Sequence, residues 1–460
     1  MSRLVVVSNR LPALSARGGT FDPPAGGLVS VLLDALVRRR GGGLWLGWDD
    51  RSEGASRTRR DAASGVTLVG IGLPRPLVEG FYDGFCNQAL WPILHCFPGR
   101  ARFEMGHLDR YREAQERFAR SLARRLRPGD QIWIHDYHLL LLPELLRRGG
   151  FRGRIGFFFH TPFPPADIWG TLPAGGELLA GVAHADLIGF QTRGDLSNFA
   201  DCRRRLAVRD AAGPLARSAP PRPRLGVFPV GIDVRDFEPS EAVERRPKGR
   251  SSLVEMVGGR RVVLGIDRLD YSKGLTERFR AFALFLERHR DWRRRVCLVQ
   301  VASPSRQRLE CYRQERAELE HLVGRINGEL GEVDWTPIRY LHRSFARATL
   351  PRLYRGADVG LVTPLRDGMN LVAKEFVAAQ RRNDPGVLVL SRFAGASDSL
   401  RDALQVNPYV VEETAEAIAR ALEMPLAERI RRHRGLLRVV RRDSAAAWAK
   451  RFLGALARPA

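Results

Sequence analysis

Two stretches of this 460-residue chain carry charges in patterns that suit a diphosphate. In LGIDRLDYSKGLTERF, Arg268 and Lys273 fall on a predicted loop between a strand and a helix, with Gly274 near the helix start. Two cations there can neutralise the charge that builds on a departing nucleoside diphosphate, work that other enzymes give to a metal. In VGLVTPLRDGMNLVAKEFVAAQ, Asp367 sits in a turn, and Gly368, Met369, Asn370, Leu371, Val372, Ala373, Lys374 and Glu375 lead into a helix. Amides at a helix N-terminus form a cradle for a sugar and a nucleotide, with Glu375 able to take a ribose hydroxyl pair. Arg-Asp-Gly-Met-Asn is a poor choice for a core or a cap unless it binds something.

Other candidates each have a plain structural alternative. Gly26-Gly27 ahead of an amphipathic helix lets amides approach a diphosphate, although any tight loop uses Gly-Gly. Arg10 at one strand end is placed to meet a phosphate, although a salt bridge serves equally well, and Arg306 falls in the loop VASPSRQR after another strand. Tyr82 and Trp91 in GFYDGFCNQALWPILH have the flat faces and polar edges that hold sugars, or they pack in a core. Asp136 in IWIHDYHLLLLPELLR can accept from sugar hydroxyls, whereas His135 and His138 beside it lack the further ligands of a metal site. His160 closes the run RIGFFFH and is either a satisfied core histidine or a group at the mouth of a site.

These residues need strand ends to hold them. Apolar runs of strand length recur at 4–8, 66–71, 131–134, 155–159, 187–190 and 225–229, with helical periodicity between them, as from Arg112 to Leu126. The alternation restarts after a Pro/Arg/Ser-rich stretch at 239–252, with runs at 261–266, 296–301, 338–341, 359–363 and 387–390. This predicts an α/β fold of two doubly wound, Rossmann-like domains, 1–238 and 239–443, facing a cleft at the carboxyl ends of their strands. The segment 444–460 reads as a helix that packs back on the first domain. No G-x-G-x-x-G follows a strand, and there is no P-loop or G-x-S-x-G elbow, so dehydrogenase, P-loop NTPase and α/β-hydrolase readings fall away.

Composition narrows the classes further. The net charge of +24 invites a nucleic-acid reading, but only four of the 75 basic residues are Lys (248, 273, 374, 450) and the Arg is spread in twos and threes along the chain. That is the mark of a GC-rich genome rather than of a binding face, and no nucleic acid partner is expected. The retained Lys273 and Lys374 mark places that need a compact ammonium. Five Cys, none in a C-x-x-C pair, suggest neither a disulfide framework nor a structural metal. No apolar run approaches the ~18–20 residues of a membrane helix, and the N-terminus does not read as a secretory signal, so a cytoplasmic protein without membrane association is expected. A homo-oligomer is left open.

The strings VVVSNRLP, FYDGFCNQALWP, WIHDYHLLLLPELLR, GFFFHTPFPP, DRLDYSKGLTERF, GRINGE, DVGLVTPLRDGMNLVAKE and GVLVLSRFAGAS occur in an order that resembles the trehalose-6-phosphate synthases of glycosyltransferase family 20. The resemblance covers nearly the whole chain. It implies the GT-B glycosyltransferase fold, transfer of glucose from UDP-glucose to glucose 6-phosphate with retention, and neither cofactor nor catalytic metal. It assigns Arg10, Tyr82, Asp136 and Arg306 to glucose 6-phosphate, with Trp91 beside the acceptor sugar and selecting its anomer. The donor set it implies is Gly26, Gly27, Arg268, Lys273, Phe345 by its backbone against the base, and the run from Gly368 to Glu375. Asp367 and His160 would hold glucose hydroxyls, and Thr161, at a position that varies among relatives, bears on anomer choice. The leaving phosphate oxygen is expected to take the acceptor's proton, with no enzymic nucleophile. No D-x-D-G-T phosphatase motif occurs, so the product is expected to leave phosphorylated.

Rival readings are a related synthase with another acceptor, such as glycerol 3-phosphate or a pseudo-glycosidic partner, and an inactive sensor of glucose 6-phosphate. The donor base is open between UDP, the default, and GDP or ADP. If the Arg excess is genomic bias, the protein shows no DNA binding that weakens with salt in a titration; retention with a steep salt slope would restore the nucleic-acid reading.

Overall fold

The computed structural model describes residues 3–12, 32–33, 35–37, 43–50, 56–61, 64–206, 222–244, 255 and 257–458. Its contacts divide the chain into two units, Met1–Pro229 with Ala446–Ala460, and Val230–Ala445. No helix among the described residues is long and apolar enough to cross a membrane.

The first unit is built on β1 (Leu4–Arg10), β2 (Gly43–Trp48), β3 (Arg57–Arg60), β4 (Thr67–Ile71), β5 (Gln131–His135), β6 (Arg154–Phe158), β7 (Leu187–Phe190) and β8 (Arg224–Val227). The sheet order is β3-β4-β2-β1-β5-β6-β7-β8. Every pairing is parallel except that of β3 with β4. Leu4, Val5, Val6 and Val7 are all 0% exposed, which is why β1 reads as an unbroken apolar run: a central parallel strand is covered on both faces. The helix Ala445–Ala457 belongs here, setting Trp448 and Phe452 against Trp133 of β5 at ring-centroid distances of 4.9 and 4.8 Å.

The second unit carries β9 (Arg261–Arg268), β10 (Val296–Ser303), β11 (Ile338–Leu341), β12 (Val359–Val362), β13 (Val387–Ser391) and β14 (Leu404–Val406), in the order β11-β10-β9-β12-β13-β14 and parallel throughout. Ile232, Val234 and Phe237 enter its core, so the boundary falls at 229/230 and not after residue 238. The Pro/Arg/Ser stretch expected to link the domains starts inside the second unit. β2, β3 and β14 escaped the pattern reading. β3 is Arg-Thr-Arg-Arg, fully exposed on a sheet edge and without an apolar period, and charge on an edge discourages pairing with other chains. The helix expected from Arg112 to Leu126 is displaced to Met105–Ala123.

Glycine is required at Gly231. A Cβ there would lie 1.8 Å from the Asp443 carbonyl oxygen and 2.5 Å from the Ser444 carbonyl carbon, both backbone atoms that a rotamer change cannot move. Ala445 N donates to Ile232 O at 3.1 Å alongside, so this close approach fixes where the entering and leaving segments of the unit meet. Gly231→Ala is expected to destabilise by about 1–3 kcal/mol in urea unfolding. Gly454→Ala, where an added carbon meets nothing within 4 Å, is the control and is expected to be neutral or stabilising.

Candidate active site

Parallel strands deliver their carboxyl ends to one edge of each sheet, and the loops there carry the candidate residues. In the first unit β1 and β2 end in register at Arg10 and Trp48. The exposed guanidinium of Arg10 lies over the Trp48 ring at 4.4 Å and the Tyr82 ring at 4.8 Å, two rings that themselves touch at 5.7 Å, and these cation–π contacts hold the charge at the strand end without a carboxylate neutralising it through them. Tyr82 rides on the π-helical stretch Glu79–Leu90 and stacks on His138 at 5.9 Å and 17°. Trp91 is 5% exposed and reaches the same group through Tyr137, 6.0 Å away, which lies 3.9 Å from His138. Spacing does not point to Trp48 or His138: the strand that carries Trp48 lies outside the expected apolar runs, and His138 reads from sequence only as half of a His-x-x-His pair.

Asp136 follows β5 with φ 73° and ψ 167°, a backbone region nearly reserved for glycine and worth ~1–3 kcal/mol of strain. Its surroundings hold it there. Asp136 N donates to Phe158 O at 2.8 Å, and its Oδ1 accepts from His160 N at 3.2 Å and from the Thr161 hydroxyl at 3.4 Å. Burial pushes its carboxyl up to about 6 against the pull of those hydrogen bonds. Thr161 is buried and serves this carboxylate. The His160 ring lies 3.0 Å from that of His135, Nε2 to Nδ1. Burial lowers His160 to about 3 and His135 well below its ordinary value, so both are neutral.

In the second unit Arg268 ends β9, exposed. The loop beyond is pinned by Asp270, whose Oδ1 accepts from Ser272 N at 3.0 Å. Gly274 takes φ +64° at the start of Leu275–Arg288, where a Cβ would stand 2.6 Å from Thr363 O. Lys273, 6% exposed, donates to Asp367 Oδ2 at 2.6 Å, and Asn370 Nδ2 reaches the same oxygen at 3.1 Å. Asn370, itself at φ 69°, caps the helix Leu371–Ala379 by accepting from Ala373 N. Gly368 and Met369 are buried in the turn, where Met369 O accepts from Ala396 N at 2.8 Å. Leu371 and Val372 are half-buried, Ala373 is fully covered, and Lys374 is turned inward to donate to Val230 O at 2.5 Å. Glu375 is buried and accepts from Tyr354 Oη at 2.8 Å; burial raises its carboxyl. Phe345 lies under Arg343, whose guanidinium is 4.4 Å from its ring centre. Arg306 stands in this unit, apart in the chain from the other acceptor candidates, donating to Asp270 Oδ2 at 2.6 Å. Gly26 and Gly27 lie outside the described residues.

The sequence profile of glycosyltransferase family 20 matches residues 2–458. The chain belongs to glycosyltransferase family 20. A trehalose-6-phosphate synthase of Sinorhizobium fredii is 43% identical over 460 residues, 99% of this chain and 98% of that protein. An α,α-trehalose-phosphate synthase (UDP-forming) of Burkholderia xenovorans, solved in complex with glucose-6-phosphate, is similar at TM-score 0.88 and 41% identity, covering 99% of this chain and 100% of its own. An E. coli trehalose-6-phosphate structure bound with UDP-2-fluoro glucose is similar at TM-score 0.89 and 39% identity, with 100% of both chains covered. The two sheets flanked by helices are accordingly those of the GT-B fold.

Beneath the charged loops of this family 20 chain lies a group that spacing alone did not reveal. Arg278, 0% exposed, pairs with Asp267 and donates to Gln300 Oε1 at 2.8 Å, Thr363 Oγ1 at 3.0 Å and Lys273 O at 3.4 Å. It ties β9, β10 and the end of β12 to the Lys273 loop. The sequence signal was an arginine on the otherwise apolar face of LTERFRAF.

Asp136 sets a measurable pH dependence. Its proton is held more tightly in the folded state, at about 6 against the usual 3.8, so it costs stability as pH rises through that window. Asp136→Asn is expected to gain stability over the wild type between about pH 4 and pH 6, with the gain level above that. Urea unfolding of both proteins across this range checks it; a gain independent of pH would show that the carboxyl titrates normally.

Proposed function

We propose that this family 20 glycosyltransferase moves glucose from UDP-glucose to glucose 6-phosphate with retention, giving α,α-trehalose 6-phosphate and UDP in trehalose biosynthesis. The observation that carries the reading is the Lys273 ammonium fixed on Asp367 at the N-terminus of Leu371–Ala379, with Arg268 at the end of β9. It is joined by whole-length similarity to a synthase bound to glucose-6-phosphate and to a protein bound to a UDP-glucose analogue.

Arg268 and Lys273 neutralise the diphosphate as the glycosidic bond breaks, aided by the amides of the 368–375 turn. Glu375 takes the ribose and Phe345 lies by the base. Asp367 is engaged by Lys273 and Asn370, which supports a sugar-orienting role rather than that of a nucleophile. His160 holds a hydroxyl of the transferred glucose. Arg10, held against the rings of Trp48 and Tyr82, meets the acceptor phosphate with Arg306, while Tyr82, Trp91 and Asp136 hold the acceptor sugar. The phosphate oxygen that leaves the anomeric carbon takes the acceptor's proton on the same face. Two protein cations do the work of a metal, so none is required. Free cysteines support a cytoplasmic location.

Nucleoside diphosphate release from UDP-, GDP- and ADP-glucose, each with and without glucose 6-phosphate and in EDTA, tests this. Release from UDP-glucose that needs glucose 6-phosphate and survives EDTA is expected. No release from any donor by the folded protein would overturn the reading in favour of another acceptor or a sensor.

A further inference from the structure

We infer that His135, which touches no substrate, is a positioning residue that fixes the tautomer of His160, so that His160 meets the sugar as an Nδ1–H donor. The inference rests on the reading above, in which His160 holds a hydroxyl of the transferred glucose. His135 Nδ1 and His160 Nε2 are 3.0 Å apart, with the ring centroids 5.3 Å apart and the planes inclined by 29°, so the two nitrogens face each other edge to edge. Burial keeps both imidazoles neutral, so one N–H and one lone pair must meet between them.

Two arrangements satisfy that bond. If His160 donated from Nε2, His135 would have to accept at Nδ1 and carry its own proton on Nε2. His135 Nε2 is buried and has no hydrogen-bond partner among the described residues. A buried N–H without an acceptor is the rarer and costlier defect; a buried lone pair is better tolerated. The flanking rings point the same way. Trp133 is 4.7 Å and Trp448 6.3 Å from the His135 ring, and their Nε1–H groups are likewise buried and unpartnered. Indole nitrogens only donate, so the polar groups of these neighbours suit a lone pair on His135 Nε2 and not a second proton. The proton of His135 therefore lies on Nδ1 and is given to His160 Nε2. His160 is left with its proton on Nδ1, the nitrogen not committed to His135. The sugar hydroxyl that meets it accepts, and keeps its own O–H to donate elsewhere.

The test is a long-range ¹H–¹⁵N correlation spectrum of protein labelled at its ten histidines, with His160 and His135 assigned by the signals lost in His160→Gln and His135→Leu. The expected wild-type result is a bare Nε2 and a protonated Nδ1 for His160; a proton on Nε2 overturns the proposal. His135→Leu is expected to spread His160 over both tautomers and lower kcat/KM for UDP-glucose about tenfold, the scale of one hydrogen bond. His135→Asn, whose side-chain NH₂ can stand where Nδ1 stood, is expected to recover most of that loss. An unchanged tautomer and unchanged kcat/KM in His135→Leu would also overturn it, and if that variant does not fold the wild-type spectrum still decides. The spectrum reports the tautomer whether or not UDP-glucose turns over, so failure of the transfer reading would be seen separately, as absent UDP release beside the expected signals.

Discussion

A guanidinium with no exposed surface can exist only where every neighbour is arranged for it, and Arg278 imposes that constraint on the second unit. Its ion pair with Asp267 fixes the end of β9, Gln300 fixes the middle of β10, and Thr363 fixes the backbone just past β12. Leaving one partner of a buried pair alone costs ~3–5 kcal/mol, so these three strands cannot shift separately. The loop bearing Lys273 is held from below through its own carbonyl. The ammonium then has one place to go, the Asp367 carboxylate at the mouth of a helix. One buried charge, Arg278, thus positions another, the Lys273 ammonium.

The first unit reaches the same end with less formal charge. Asp136 is kept in a glycine-like backbone conformation by the sheet hydrogen bond from its amide and by donors from His160 and Thr161 to its side chain. The paired imidazoles of His135 and His160 lie neutral under the indole of Trp448, supplied from the far end of the chain. Arg10 is stabilised by the faces of Trp48 and Tyr82, which attract a cation while leaving its donors available to an anion. An aspartate in Trp48's place would pair with the arginine and blunt it toward phosphate.

Much of this was legible in the residues. Central strands such as β1 and β10 read as continuous apolar runs because helices cover both faces of a parallel sheet. The segment from Asp367 to Glu375 declared itself because its polar turn followed a strand and opened a helix. Edge strands were hidden, since β3 has no apolar residue to betray it and β14 spans only Leu404–Val406. The domain boundary was misplaced because composition marks a loop, whereas Ile232, Val234 and Phe237 show which core the chain has already joined.

The sequence by itself determined the alternation of strands and helices, the strand ends at which chemistry gathers, and the cations suited to a diphosphate. Those follow from local periodicity and from residue type. Tertiary structure alone decided which partner each charge meets. Arg10 lies against the rings of Trp48 and Tyr82, Arg306 is paired with Asp270, and Lys374 is turned onto a backbone carbonyl. It also decided that His135 and Arg278 stand behind the residues that meet ligand. Partners such as His135 with His160, or Arg278 with Thr363, are brought together by sheet register across long stretches of chain, and no local spacing records that pairing.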